Sequence, residues 1–149
     1  MGMYGNGRQM YLPPNSAANA NFLEPLRHVL LQDYDLDDDG RPETLRLAFA
    51  TSRRWLEDGK EIAVENAPSA FGDVSFTIRS ELAAGTVTAD VSLPARVQPK
   101  KSYLRLRLPD GWRVDSAKVG DEPVPLDGET LDLTGLRGDV SVTAAVSKK

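Results

Sequence analysis

The sequence predicts a mainly β fold, an antiparallel β-sandwich or jelly-roll-like domain of about eight strands with an N-terminal α-helix. Three observations carry that expectation. From Thr44 onward, apolar residues recur at every second position in short runs. Turn signals such as Asp58-Gly59, Phe71-Gly72-Asp73, Ala84-Gly85, Pro109-Asp110-Gly111 and Asp127-Gly128 separate those runs. Ahead of them, between Ser16 and Gln32, the apolar spacing is three and four, as on one face of a helix.

Taken in order, the opening residues read as loop, punctuated by Gly5-Asn6-Gly7 and Pro13-Pro14-Asn15, with Met10, Tyr11 and Leu12 as an apolar cluster. The helix follows, with Phe22, Leu26 and Val29 or Leu30 on one face and Asn19 or Asn21 as its cap. Proline is tolerated in a first turn, so Pro25 places the helix start near Asn21. Leu23, Leu30 and Leu31 add a second apolar flank, more than one sheet covers, which calls for a further partner. The body then supplies its strands. They are Leu45/Leu47/Phe49, Glu61 to Glu65, Val74/Phe76/Ile78, Val87/Ala89/Val91/Leu93, Leu104/Leu106/Leu108, Arg113 to Val119, Thr130 to Leu133 and Val140/Val142/Ala144/Val146. The expected organisation is a loop and helical arm over residues 1–34 and a β-sandwich over 35–149.

Composition narrows the function classes. A chain of 149 residues, 40% hydrophobic and 27% charged, suits one soluble globular domain with a real core. With no cysteine there is no disulfide, thiolate metal site or cysteine nucleophile. The net charge of −4 gives no electrostatic footprint for nucleic acid. No apolar run is long enough for a membrane span, and the N-terminus lacks the order of a signal peptide. The sole histidine, His28, lies on the helix, without the partners a triad or histidine metal cluster needs. The carboxylates sit mostly in turns, where solvation explains them, so the chain is expected not to be an enzyme.

Two groups of residues are candidates for binding. Trp112, Trp55 and Tyr103 offer flat faces able to stack on a sugar ring, the basis of a carbohydrate-binding reading, with Tyr34 as an extension of that platform. In the structural alternative Trp55 plugs the sandwich edge and Trp112 is half buried at a strand start. The basic run Arg96, Lys100, Lys101, Arg105, Arg107 and Arg113 reads as a solvated outer sheet face.

The second group is the acidic turn from Asp35 to Glu43. Asp35, Asp37 and Asp39 alternate, Gly40 provides the bend, and Glu43 closes the spacing, an arrangement that can wrap oxygens around calcium. An EF-hand is excluded, because its twelfth position is Arg46, where that loop requires glutamate. The nine residues resemble the Asp-x-Asp-x-Asp-Gly-x-x-Asp/Glu loops of calcium-binding β-propeller repeats. Convergence of three carboxylates without an ion costs about 1 kcal/mol per close pair in water and ~4 kcal/mol at intermediate dielectric. Splayed side chains make the same residues an ordinary turn, a joint that ends the arm and launches the first strand at Thr44.

Several segments together resemble a known architecture. Trp55-Leu56-Glu57-Asp58-Gly59-Lys60, Asn66-Ala67-Pro68, Phe71-Gly72-Asp73-Val74-Ser75 and Leu104 to Gly111 are similar to the C-terminal β-sandwich tail of bacterial (α/α)-toroid glycoside-hydrolase-type proteins. The resemblance implies a sandwich preceded by the last toroid helix, here the arm. The acid and base of that family lie in the toroid, so no catalytic residue is carried over. It implies a non-catalytic accessory domain whose partner is a toroid domain; the helix face of Phe22, Leu26 and Leu30 also suits association with a second copy of the chain. A carbohydrate-binding module acting on polysaccharide, steadied by calcium, is the competing expectation, and a standalone glycoside hydrolase is a third.

Overall fold

The computed structural model describes residues 2–4, 9–11, 16–35 and 37–149, with side chains for 23–33, 35 and 37–149. In chain order its elements are β1 (Gly2–Tyr4), β2 (Gln9–Tyr11), α1 (Ser16–Leu30), β3 (Leu31–Tyr34), β4 (Thr44–Leu47), a 3-10 turn (Arg53–Leu56), β5 (Glu61–Ser69) and β6 (Gly72–Glu81). A second short 3-10 turn (Leu82–Ala84) leads to β7 (Thr86–Leu93), β8 (Lys101–Arg105), β9 (Trp112–Val119), β10 (Glu122–Pro123), β11 (Leu126–Asp127), β12 (Thr130–Asp132) and β13 (Gly138–Lys148).

Two sheets form a β-sandwich. One is six-stranded in the order β10-β9-β13-β7-β6-β5, and the other is five-stranded in the order β11-β12-β8-β4-β3. Pairing is antiparallel except between β4 and β8, which run parallel with Arg46 opposite Tyr103. The period-two runs centre on strands, because burying one sheet face demands that alternation, and Leu106, Leu108 and Leu133 carry the core past the ends of β8 and β12. The inner faces differ in kind. The five-stranded side contributes Leu31, Leu45, Leu47, Leu104, Leu131 and Leu133, and the six-stranded side Val74, Phe76, Ile78, Val87, Val91 and Val142, all in one buried core. Long leucines against Phe76 and β-branched side chains fill the space between the sheets.

The N-terminal part departs from the expected loop and arm. Met10 and Tyr11 lie in β2, which pairs with β1 as a two-stranded hairpin, while Leu12 and Pro13 to Asn15 lie outside the described residues. The helix begins at Ser16, ahead of Asn21, because Ala17, Ala18 and Ala20 are strong helix formers. Pro25 is therefore inside the helix, where its missing N–H leaves one intrahelical bond unmade. The helix also ends earlier than Gln32. Ala48 N–H donates to the Leu30 carbonyl (2.7 Å) and Ala50 N–H to that of Val29 (3.2 Å), satisfying two of its last carbonyls.

Leu31 to Tyr34 are a sheet strand, paired with β4 from Leu31 opposite Leu47 to Tyr34 opposite Thr44. The boundary expected between 34 and 35 thus falls inside a β3–β4 hairpin. The acidic turn joins two strands of one sheet, and the helix has already ended at Leu30.

A second correction concerns Phe49. Alternation with Leu45 and Leu47 places it on the inner face, yet Ala48 adopts a left-handed conformation (φ 58°) and occupies the core position, 0% exposed. That kink reverses the parity of the chain and delivers Phe49 half-exposed beside Arg46 and Arg105, whose guanidinium carbons lie 5.2 and 5.7 Å from its ring centroid. A left-handed alanine costs on the order of 1–2 kcal/mol, so the surroundings hold it there.

Candidate functional site

The acidic turn is built by its own backbone. Gly40 has a positive φ (80°), as the sharp bend requires, and Asp38 shares that conformation (φ 63°). One Asp35 carboxylate oxygen accepts N–H bonds from Asp37 (3.3 Å) and Asp38 (3.0 Å), and the other accepts from Gly40 (2.7 Å). Asp39 accepts in turn from Arg41 N–H (2.8 Å). Desolvation pushes the Asp35 carboxyl upward, but the backbone N–H groups of Gly40, Asp37, Asp38 and Asp39 outweigh it and hold the group below the usual carboxylate range.

Asp35, Asp37 and Asp39 bring one carboxylate oxygen each within 4.8 Å of one another. Calcium bonds of 2.3–2.6 Å keep ligand oxygens within roughly 5 Å, so the triangle matches the size of such a shell. The convergence has a second physical source, since the N–H groups around Asp35 supply positive dipole ends without an ion. Glu43 does not join the triangle. It is buried, pairs with Lys100, and its carbonyl accepts the Lys100 N–H (2.7 Å), which ties the β3–β4 hairpin to the start of β8.

The three aromatic candidates do not share a face. Trp55 is 40% exposed in the 3-10 turn, while its neighbour Leu56 takes the core position at 0%. Leu56, rather than Trp55, plugs the sandwich edge, because a leucine fits the enclosed space between the sheets. Trp112 begins β9 of the six-stranded sheet, packs half-buried against the core and lines a hollow of about 490 Å³ with Glu57, Asp58, Leu82 and Lys148. Tyr103 lies on β8 of the five-stranded sheet, in a separate groove. The Tyr34 side chain lies outside the described residues.

Three of the six residues of the basic run are engaged by carboxylates. Arg105 meets Glu129 (3.2 Å), Arg113 meets Asp115 (2.9 Å) and Lys100 meets Glu43. Sequence spacing gave no sign of Arg53, which grips Glu129 through two bonds (2.9 and 3.0 Å) and donates to the Leu108 carbonyl (2.7 Å). These contacts fasten the 3-10 turn to Leu108, beyond the end of β8, and to Glu129, just ahead of β12, across 55 to 76 residues of chain.

The arm offers a different surface. Leu23 and Leu26 are 59% and 45% exposed at helical spacing, whereas Leu30 packs against the core. The apolar stripe available to a partner is therefore Leu23 and Leu26, and Phe22's side chain lies outside the described residues. The last turn of α1 is latched to the sandwich. Arg27 donates to the Pro68 carbonyl (2.7 Å) and lies 3.5 Å from Asp33, which accepts the Ala70 N–H (2.9 Å). Desolvation raises the Asp33 carboxyl, while the Ala70 N–H and the Arg27 guanidinium together lower it further, so the net shift is downward. His28 is exposed beside Gln32, Asp33 and Asp35, and its carbonyl accepts the Gln32 side-chain amide (2.9 Å).

No protein-family model matches this chain, and no curated protein is significantly similar to it. No helix among the described residues is long and apolar enough to cross a membrane.

Proposed function

We propose that this chain is a non-catalytic accessory β-sandwich domain of a carbohydrate-active, glycoside-hydrolase-type protein, acting through contacts made by α1. The observation that carries this reading is the pair Leu23 and Leu26, exposed at 59% and 45% on a helix whose last turn is latched to the sandwich. A helix that leaves an apolar stripe in water gains free energy when a second helix covers it. A helix of an (α/α)-toroid domain has the shape and apolar surface to do so, and the resemblance of Trp55 to Gly111 to a toroid-following sandwich supports that partner class. A second copy of the chain is the other candidate for the same stripe.

Sedimentation velocity of the chain mixed with a toroid domain stripped of its own sandwich tail tests this reading. A mixed complex that disappears in Leu23→Asp and Leu26→Asp is the expected result. A chain that sediments alone as a monomer at every ratio contradicts it, and a dimer lost in the same variants replaces the toroid with a second copy.

The competing reading is a carbohydrate-binding module in which Trp112, Trp55 and Tyr103 form one platform and calcium steadies the fold through Asp35, Asp37 and Asp39. The dispersal of those aromatics over two sheets and a turn weighs against a shared platform. The carboxylate triangle favours the calcium part of it. Calorimetric titration decides that part. Heat of binding with a raised melting temperature, both lost in Asp37→Asn, supports a calcium-stiffened hairpin; neither signal at millimolar calcium removes it.

A further inference from the structure

The outer faces of the two sheets are lined by different side chains. On the six-stranded sheet, Arg79 bonds Glu61 (3.0 Å) and Asp90 (2.7 Å), and Asp90 accepts from Ser141 (2.7 Å), so four strands are closed by one polar network. A hollow of about 430 Å³ lies over that sheet, lined by Asp90 and Ser141 of the network, and the five-stranded sheet carries a groove of about 440 Å³, within the range of small-molecule sites. Its floor is one cross-strand row. Arg46 pairs with Tyr103 across β4 and β8, and Tyr103 pairs with Asp132 across β8 and β12. Adjacent strands lie about 4.8 Å apart, so a cation, a phenol ring and a carboxylate stand side by side over roughly 10 Å. Leu45, Leu104 and Leu131, one position away on these strands, are all 0% exposed, which sets the row on the outer face.

Two features mark this groove as more than an uneven surface. The Ala48 kink turns Phe49 out of the core and into the groove wall, at the expense of apolar burial and backbone strain. At the other end the β11–β12 turn brings Leu126 and Asp127 up as a rim. Asp132 is oriented by the Thr134 N–H on one oxygen (2.9 Å), and a carboxylate retains further acceptor sites after one such bond.

We propose that this groove binds a neutral saccharide ring. The apolar C–H face of a pyranose lies on the Tyr103 ring, its hydroxyls donate to Asp132 and Asp127, and Arg46 donates to a ring or hydroxyl oxygen. The charges select against an anion. An acidic ligand meets Asp127 and Asp132, and Arg46, at one end of the floor, offsets only one of the two. The site is independent of the arm, so failure of toroid docking and failure of this proposal are separate results.

Amide chemical shifts of the full chain, followed while neutral gluco-, xylo- and manno-oligosaccharides are added, test it. At least one sugar is expected to give saturable shifts at Arg46, Tyr103, Thr130 and Asp132. Tyr103→Ala and Asp132→Asn should each weaken binding by about tenfold, with unchanged melting temperature, and Arg79→Ala on the other sheet should not. An oligogalacturonate serves as the acidic comparison. No saturable shift at these amides with any neutral sugar overturns the proposal. So does tighter binding of the acidic sugar, or binding that both groove variants retain. Should Tyr103→Ala unfold, Asp132→Asn alone decides the outcome.

Discussion

Leucines of the sandwich and leucines of the arm meet opposite fates. Leu45, Leu104 and Leu131 are 0% exposed between two sheets, while Leu23 and Leu26, only a few turns of chain away from the first of them, are 59% and 45% exposed. The sandwich leucines are accounted for by folding alone, since each completes an inner face. The arm leucines contribute little to the fold and leave apolar area in water, so their value lies in what covers them. The same residue type thus reports stability in one region and association in the other.

Substitutions at the two regions should separate these roles. The largest effect is expected for Leu104→Ala, which empties a fully enclosed site and should lower unfolding free energy by about 2–5 kcal/mol in urea titrations. Arg53→Ala should cost about 1–3 kcal/mol, since it removes a two-pronged, partly shielded contact to Glu129 and the bond to the Leu108 carbonyl. Leu26→Ser should cost no more than about 1 kcal/mol, because nearly half of the side chain is already in water. A loss at Leu26 as large as that at Leu104 would erase the distinction and place the arm within the folding core.

The latch between the regions gives a pH dependence. Asp33 titrates below its ordinary value in the folded chain, through Ala70 N–H and Arg27 acting against desolvation. Its contribution is therefore fully present above the unfolded carboxyl value near 3.9 and is lost as pH falls through the lower folded value. Melting curves between pH 5 and pH 2, with Asp33→Asn as reference, should show the wild-type advantage fading over that acidic window. An advantage that instead appears only below pH 4 would contradict the latch.

Much of the sandwich was legible because one-sided burial imposes period two on each strand, and the runs from Glu61 to Val146 display it. β3 was hidden because Leu30 and Leu31 also satisfy helical spacing, so the change from helix to strand inside Val29-Leu30-Leu31 leaves no mark in the pattern. The parallel pairing of β4 with β8 depends on contacts between segments more than 50 residues apart, which local periodicity does not encode. The position of Phe49 failed for a related reason. A left-handed alanine has no composition signal, unlike the glycine at position 40. Within the acidic turn, the convergence of Asp35, Asp37 and Asp39 follows from spacing and Gly40, whereas the loss of Glu43 to Lys100 required the fold to bring β8 alongside.

Hydrogen exchange of the chain with and without a toroid domain tests most directly whether the arm is the interaction surface. Slowed exchange confined to the amides of residues 23–30, absent in Leu23→Asp, is the predicted result. Protection on the outer face of either sheet with the α1 amides unchanged would contradict it.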